Sequence, residues 1–276
     1  MTVGRPSASC HAPKRNTRAP ATGISCSWTG RCGCGAGAGC SSAWVAALLE
    51  WWPEVATFQG SPDADPGAIK DPSRAAVAAW HAREDSLHAR LLEIDASRLE
   101  GRPEWVTYGF LREALELGKQ SRVCRSELLN VDQRYGWQVS YPLLGLHLQP
   151  VGTEALREAA LRRFGALPRY LDAEIENLRE GLRQRYSAPR VTVERVLAQV
   201  DGLLQGPAEA SPFYGPARRD STEAFRTALR DLVAGVINPA IANYRDFLRD
   251  EYLPRAPRNG GLGQSRWGRV LPRPHA

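Results

Sequence analysis

The chain has 276 residues, with 36 Lys+Arg against 30 Asp+Glu, a formal net charge of +6, and 43% hydrophobic residues. That is ordinary globular material for one or two domains. No apolar run approaches the roughly 18 residues a membrane-spanning helix needs, so no transmembrane segment is expected.

The positive charge is unevenly placed. Residues 1–43 carry Arg5, Lys14, Arg15, Arg18 and Arg31 and no acid, and residues 255–276 carry Arg255, Arg258, Arg266, Arg269 and Arg273 and no acid. Without those ten, residues 44–254 hold 26 basic against 30 acidic residues, a net of −4. Nucleic-acid binding calls for a basic face on the folded part, and the body offers none. The expected organisation is a low-complexity leader over 1–43, a helical domain over 44–254, and a Gly/Arg/Pro tail over 255–276.

The leader holds five of the six cysteines, Cys10, Cys26, Cys32, Cys34 and Cys40. Their spacing lacks the paired C-x2-C knuckle of structural zinc sites, though a clustered set leaves metal binding open. The chain has 33 Arg and three Lys. With that usage, a GC-rich gene read out of frame or from too early a start also yields Arg, Gly, Ala, Pro and Cys. The apolar stretch Ala43 to Leu49 comes late for an export signal and runs into Glu50.

From Asp71 to about Leu99 the pattern predicts a helix, with Asp71 or Ser73 as cap and Val77, Trp80, Leu87, Leu91 and Ile94 as its apolar stripe. A second helix is expected over Trp105–Leu117, with Val106, Phe110, Leu111, Ala114 and Leu117 facing inward. Residues 123–153, rich in Gly, Pro and aromatics, read as a long irregular connection with room for a short hairpin. A helix over Glu154–Phe164 follows. After Pro168, Leu171, Ile175, Leu178 and Leu182 form a buried seam. Val193 to Leu204 marks the next helix, ended at Gly206-Pro207. The last begins at Asp220, where Asp220 and Glu223 have capping-box spacing, and Pro239 should kink or split it. The fold class is therefore all-α, an irregular multi-helix array.

Chemistry is sparse. His81, Glu84, Asp85 and His88 share one side of a helix, but the two histidines are seven apart, about 10.5 Å along the axis, too far for easy shared ligation. Solvated ion pairs explain that cluster better. His147, among apolar neighbours, reads as a satisfied structural side chain. Glu174, Glu176 and Glu180 read as an exposed face paired with Arg179 and Arg183. Phosphate-loop, dinucleotide-fold and nucleophile-elbow signatures are absent from the sequence.

A family resemblance adds to this. The segments RSELLNVDQRYGWQ (125–138), QPVGT (149–153), the run from Ala166 to Leu204, SPFYGPARRD (211–220) and INPAIANYRDFLRDEYLP (237–254) resemble a bacterial family known as domain of unknown function 885. WWPEVATFQG (51–60) and LLEIDASRLEG (91–101) fit more loosely. The resemblance implies a helical protein similar to zinc carboxypeptidases, with full-length members about twice this length. Their zinc would be held by an H-E-x-x-P-G-H helix in the later half, and no His-Glu dipeptide occurs here. No catalytic residue, metal ligand or cofactor is therefore assigned to this chain. Asn130, Gln133 and Trp137 match a block that would line the cleft.

The expectation is a truncated or frame-disrupted scaffold and substrate-channel portion of a zinc-peptidase-like hydrolase, inactive alone. Its substrate would be peptide-like, bound only when the missing half completes it. The alternative is a noncatalytic helical interaction module. Either way, apolar helix faces left without partners should favour self-association. Relatives are often exported, and the sequence leaves localisation open.

Overall fold

The computed structural model describes residues 36–258 apart from residue 63, with side chains from residue 41 onward. The N-terminal cysteine side chains and the tail beyond residue 258 lie outside the described residues. Among the described residues every regular element is helical.

Two hydrophobic clusters organise them. The smaller is built by α1 (Ala36–Trp51), α3 (Arg74–Leu92) and α4 (Glu104–Ser121), with the short α2 (Pro53–Phe58) following α1. Its centre is Ala47, Leu87, Leu91, Leu99, Tyr108, Leu111 and Leu115. Helix α3 starts three residues after Asp71: the Ser73 hydroxyl accepts from Ala76 N at 3.2 Å and caps it. It stops at Leu92, so Ile94 of the expected stripe lies beyond it, half-buried against the same cluster, and a 3-10 turn over Ala96–Leu99 follows.

The expected inner face of α4 holds at Leu111 and fails at Val106, Phe110 and Leu117. Tyr108, Leu111 and Leu115 point inward, while Val106, Phe110 and Leu117 are 73%, 65% and 55% exposed. The helix is apolar on two sides, so periodicity supplied two stripes and the sequence could not rank them. The 108–111–115 stripe wins because it meets Leu87 and Leu91 of α3 in the same cluster.

The larger cluster is built by α5 (Trp137–Leu143), α6 (Glu154–Gly165), α7 (Leu167–Arg183), α8 (Arg190–Leu203), α9 (Gly215–Arg218), α10 (Glu223–Leu232) and α11 (Asn238–Phe247). Leu171, Ile175 and Leu178 of α7 are buried as the seam predicts. Pro168 occupies the first turn of α7, where its missing N–H costs nothing.

Residues 123–153 are not an irregular connection. They contain 3-10 turns and α5, which continues as a wider π turn over Leu144–Leu148. Trp137, Gln138, Tyr141, Leu144 and Gly145 are all buried, so α5 is covered on more than one side and shows no amphipathic period. Gly145 is required there: a Cβ would stand 2.8 Å from the Pro212 carbonyl oxygen.

Pro239 acts through a device the sequence does not display. Helix α10 opens into a π turn over Val233–Ile237, and Pro239 then sits in the first turn of α11. The π turn absorbs the missing donor without breaking the helical run. The expected capping box also fails. Asp220 lies ahead of Thr222, the residue preceding the helix, and accepts from Thr222 N at 2.8 Å, Gly152 N at 3.2 Å and Arg157 Nε at 2.8 Å. It ties the start of α6 to the start of α10. The Thr222 amide leads in holding its carboxyl down to about 2.

A candidate ligand cleft between the two clusters

The segment between α2 and α3 crosses from the smaller cluster to the larger one, and buried polar side chains hold it there. Arg163 of α6 is fully buried. Its guanidinium donates to Ala68 O at 2.6 Å, Thr57 Oγ1 at 2.8 Å, Asp65 O at 3.2 Å and Gln149 Oε1 at 2.9 Å. Gln149 donates in turn to Pro66 O at 3.0 Å, and Asn177 of α7 to Pro72 O at 2.7 Å. This anchoring fixes the place of Lys70.

Beside it, at the seam between the clusters, lies a cleft of about 560 Å³. One wall is aromatic. Trp51 stacks on Trp80 with centroids 5.4 Å apart, Trp52 meets Trp51 edge-on at 6.4 Å, and Tyr135 is exposed at the rim. The floor is polar. Glu174 is 2% exposed, and Asn130 Nδ2 donates to both of its carboxyl oxygens at 2.9 Å. Burial raises Glu174 to about 7, against the pull of Asn130, Tyr170 and Lys70 toward the ionised form. Tyr141 donates its hydroxyl proton to Glu54 Oε1 at 2.7 Å, and the Lys70 amide donates to the same oxygen at 2.9 Å. Tyr141 and Tyr170 meet edge to face at 5.1 Å, and burial pushes both phenols well up, keeping them neutral donors.

The Lys70 ammonium lies 3.4 Å from the centroid of Trp52 and 4.8 Å from that of Trp51. Burial lowers it to about 8, with Glu174 and Glu54 pulling the other way. Two titratable groups of one cleft thus both change charge near neutrality, a pattern common at functional sites.

Of the residues expected at a cleft, Asn130 and Trp137 line this one. Trp137 is buried and packs edge-on against Tyr244 at 5.1 Å. Gln133 does not line it. It borders a second depression of about 490 Å³ on the other side of the same segment, where it accepts from Arg195 at 3.3 Å.

Glu174 is the residue the sequence reading misplaced. Glu176 and Glu180 do pair with Arg179 and Arg183, as expected. Glu174, however, stands three after Leu171 and four before Leu178, inside the buried seam. That spacing was the available signal.

The remaining candidates resolve into packing and ion pairs. Arg122 of the turn after α4 binds both Asp85 oxygens at 3.0 and 2.9 Å, Glu84 Oε2 at 3.2 Å and the His81 carbonyl at 3.1 Å, and so staples α4 to α3. His88 lies 3.8 Å from Glu116. Contrary to expectation, His147 is exposed. Cys124 is a free, exposed thiol. Among the described residues no group of three or more His, Cys, Asp or Glu could hold a metal ion, so these residues do not fit the donor set zinc requires. Among them, too, no helix is long and apolar enough to cross a membrane.

The fold is similar to a crystal structure of a protein from Colwellia psychrerythraea described as a lipoprotein. The TM-score is 0.68 at 17% identity, covering 86% of this chain and 45% of that one. This chain therefore spans less than half the length of that structure. No curated protein matches it. Residues 53–273 match the family described as "Bacterial protein of unknown function (DUF885)", and the chain belongs to that family.

Proposed function

We propose that the cleft is a substrate channel, and that the chain is the scaffold portion of a hydrolase resembling zinc peptidases. The carrying observation is the cleft itself: an aromatic wall over a buried, hydrogen-bonded carboxyl, at the seam between two packed clusters. Flat apolar surface with a few convergent polar groups suits a peptide-like ligand, whose side chains stack while its amide groups pair with Asn130, Tyr141 and Glu174. Because the described residues do not fit zinc, no hydrolytic step is assigned to them. In this reading the bond-breaking groups come from residues outside the described ones.

The test is titration of the purified chain with a mixture of short peptides, followed by tryptophan fluorescence and by mass spectrometry of the peptides with and without added zinc. Saturable quenching without cleavage is expected. Absence of saturable quenching would contradict the channel. Cleavage abolished by a chelator would contradict a scaffold that is inactive alone.

One observation favours a second reading, a noncatalytic interaction module. The exposed Val106, Phe110 and Leu117 share one face of α4, with Glu113 between the last two, and suit a protein partner better than water.

A further inference from the structure

Lys70 is unusual among the charged groups of the cleft. Glu84 is paired with Arg122, Glu54 accepts from Tyr141 and the Lys70 amide, and Glu174 accepts from Asn130. Among the described residues the Lys70 ammonium forms no ion pair; it stands over the faces of Trp52 and Trp51, with the charges of Glu174 and Glu54 acting on it from farther away. It projects into the cleft, with room beside it for a small molecule.

An anion is a poor candidate for that room. Glu54, Glu84, Glu127 and Glu174 line the same cleft, against Lys70 and His81. A neutral ligand avoids that repulsion. A buried amine in an aromatic setting, with a protonatable carboxyl in the same cleft, has the parts needed to capture a carbonyl carbon.

We propose that Lys70 is a carbonyl-reactive nucleophile that forms an imine with a neutral aldehyde or ketone carrying a flat apolar body. The inference rests on the cleft being a ligand site. The Lys70 nitrogen pair attacks the carbonyl carbon, forming C–N, while the carbonyl π pair moves to oxygen, which takes up a proton. The nitrogen releases its proton, giving a carbinolamine. Protonated Glu174 then gives its proton to the departing hydroxyl, which leaves as water as C=N forms, and the protonated imine so made returns its N–H proton to the Glu174 carboxylate. Amine plus carbonyl becomes imine plus water, with no change of oxidation state. Trp51, Trp52 and Trp80 stack on the apolar body.

Burial supports the chemistry. With Lys70 at about 8, roughly a tenth of the amine is neutral at pH 7, against under a thousandth for an unperturbed lysine.

The chain's composition makes the test direct, since it has only Lys14, Lys70 and Lys119. The full chain is incubated with benzaldehyde and sodium cyanoborohydride, and the benzylated lysines are identified by peptide mapping. Benzyl alcohol, which has the same ring and no carbonyl, serves as a binding probe by tryptophan fluorescence. Labelling of Lys70 is expected at least about tenfold faster than of Lys119 at pH 7, half-maximal near pH 8 and slowed by benzyl alcohol. Glu174→Gln should slow it several-fold, because the amide has no proton to give to the departing hydroxyl. Equal labelling of the lysines alongside quenching by benzyl alcohol would overturn the nucleophile and leave the cleft standing as a ligand site. Equal labelling with no quenching would overturn both. The wild-type comparison decides the matter even if the Glu174 variant does not fold.

Discussion

Asn130 and Glu174 are 44 residues apart in sequence, and a single amide nitrogen of the first reaches both carboxyl oxygens of the second at 2.9 Å. The pair binds the turn before α5 to the middle of α7 and puts a carboxyl under the aromatic wall of the cleft. A lone carboxylate in that place would be costly, and burial meets the cost by keeping the proton on.

That arrangement makes stability depend on pH. Glu174 titrates at about 7 folded and near its ordinary value of 4.5 unfolded, so between those values the folded state binds more protons. Stability contributed by the protonated form is full below pH 4.5 and is lost as pH rises toward and past 7, a change of about 3 kcal/mol at most. Urea unfolding at pH 5 and pH 8 should show wild type weaker at pH 8. Glu174→Gln should flatten that difference, because the amide has no proton to lose.

Asp220 acts in the opposite sense. Its carboxyl is held at about 2 by Thr222 and Arg157, below the ordinary 3.8, so its contribution is present above pH 4 and lost as pH falls toward 2. The wild-type profile should therefore have its maximum on the acid side of neutrality. Asp220→Asn should blunt the decline at the acid end without altering the decline above pH 5.

Arg163 makes four hydrogen bonds from a fully buried position, two of them to the segment that carries Lys70 and one to Thr57 of α2 just before it. Arg163→Met keeps the volume and strands those acceptors, each costing about 1–3 kcal/mol when left buried without a partner. A loss of at least about 3 kcal/mol in chemical unfolding is expected, or release of residues 57–70 detected by hydrogen exchange. Unchanged protection there would show that the segment does not depend on this arginine.

Gly181 faces the Leu128 carbonyl so closely that a Cβ would lie 2.3 Å from its oxygen. Gly181→Ala should therefore push the 126–131 turn off α7, costing about 2 kcal/mol and weakening the Asn130–Glu174 contact. The contact's loss would appear as altered pH dependence of unfolding, in the same window as Glu174→Gln.

On α4, Val106→Glu with Leu117→Glu should lower concentration-dependent association in sedimentation experiments without reducing stability, because both positions are exposed. A monomer at every concentration before substitution would remove the case for self-association through this face.

The helices were legible where one face is apolar and the other charged. Helix α7 and its Leu171–Ile175–Leu178 seam follow directly from spacing. Helix α4 was legible, but of its expected inner residues Leu111 alone is buried, since Val106–Phe110–Leu117 and Tyr108–Leu111–Leu115 are both plausible stripes. Helix α5 was missed because burial on several sides erases periodicity. For the cleft, the motif block pointed to the 130–137 segment but not to its partners. Lys70 carries no local pattern at all, and its role comes from a backbone held in place by Arg163 and Asn177, roughly a hundred residues away. Glu174 was hidden by its charge, although its register within the seam marked it as buried.

The central claim is that the cleft holds a protonatable Glu174 and takes a ligand over it. Carbon-13 NMR of glutamate-labelled chain, titrated from pH 4 to pH 9 with and without short peptides, tests it most directly. One carboxyl titrating near 7, missing from Glu174→Gln and shifted by peptide, is the predicted result. If every glutamate instead titrates near 4 and none responds to peptide, the buried acid and the ligand cleft built on it are both contradicted.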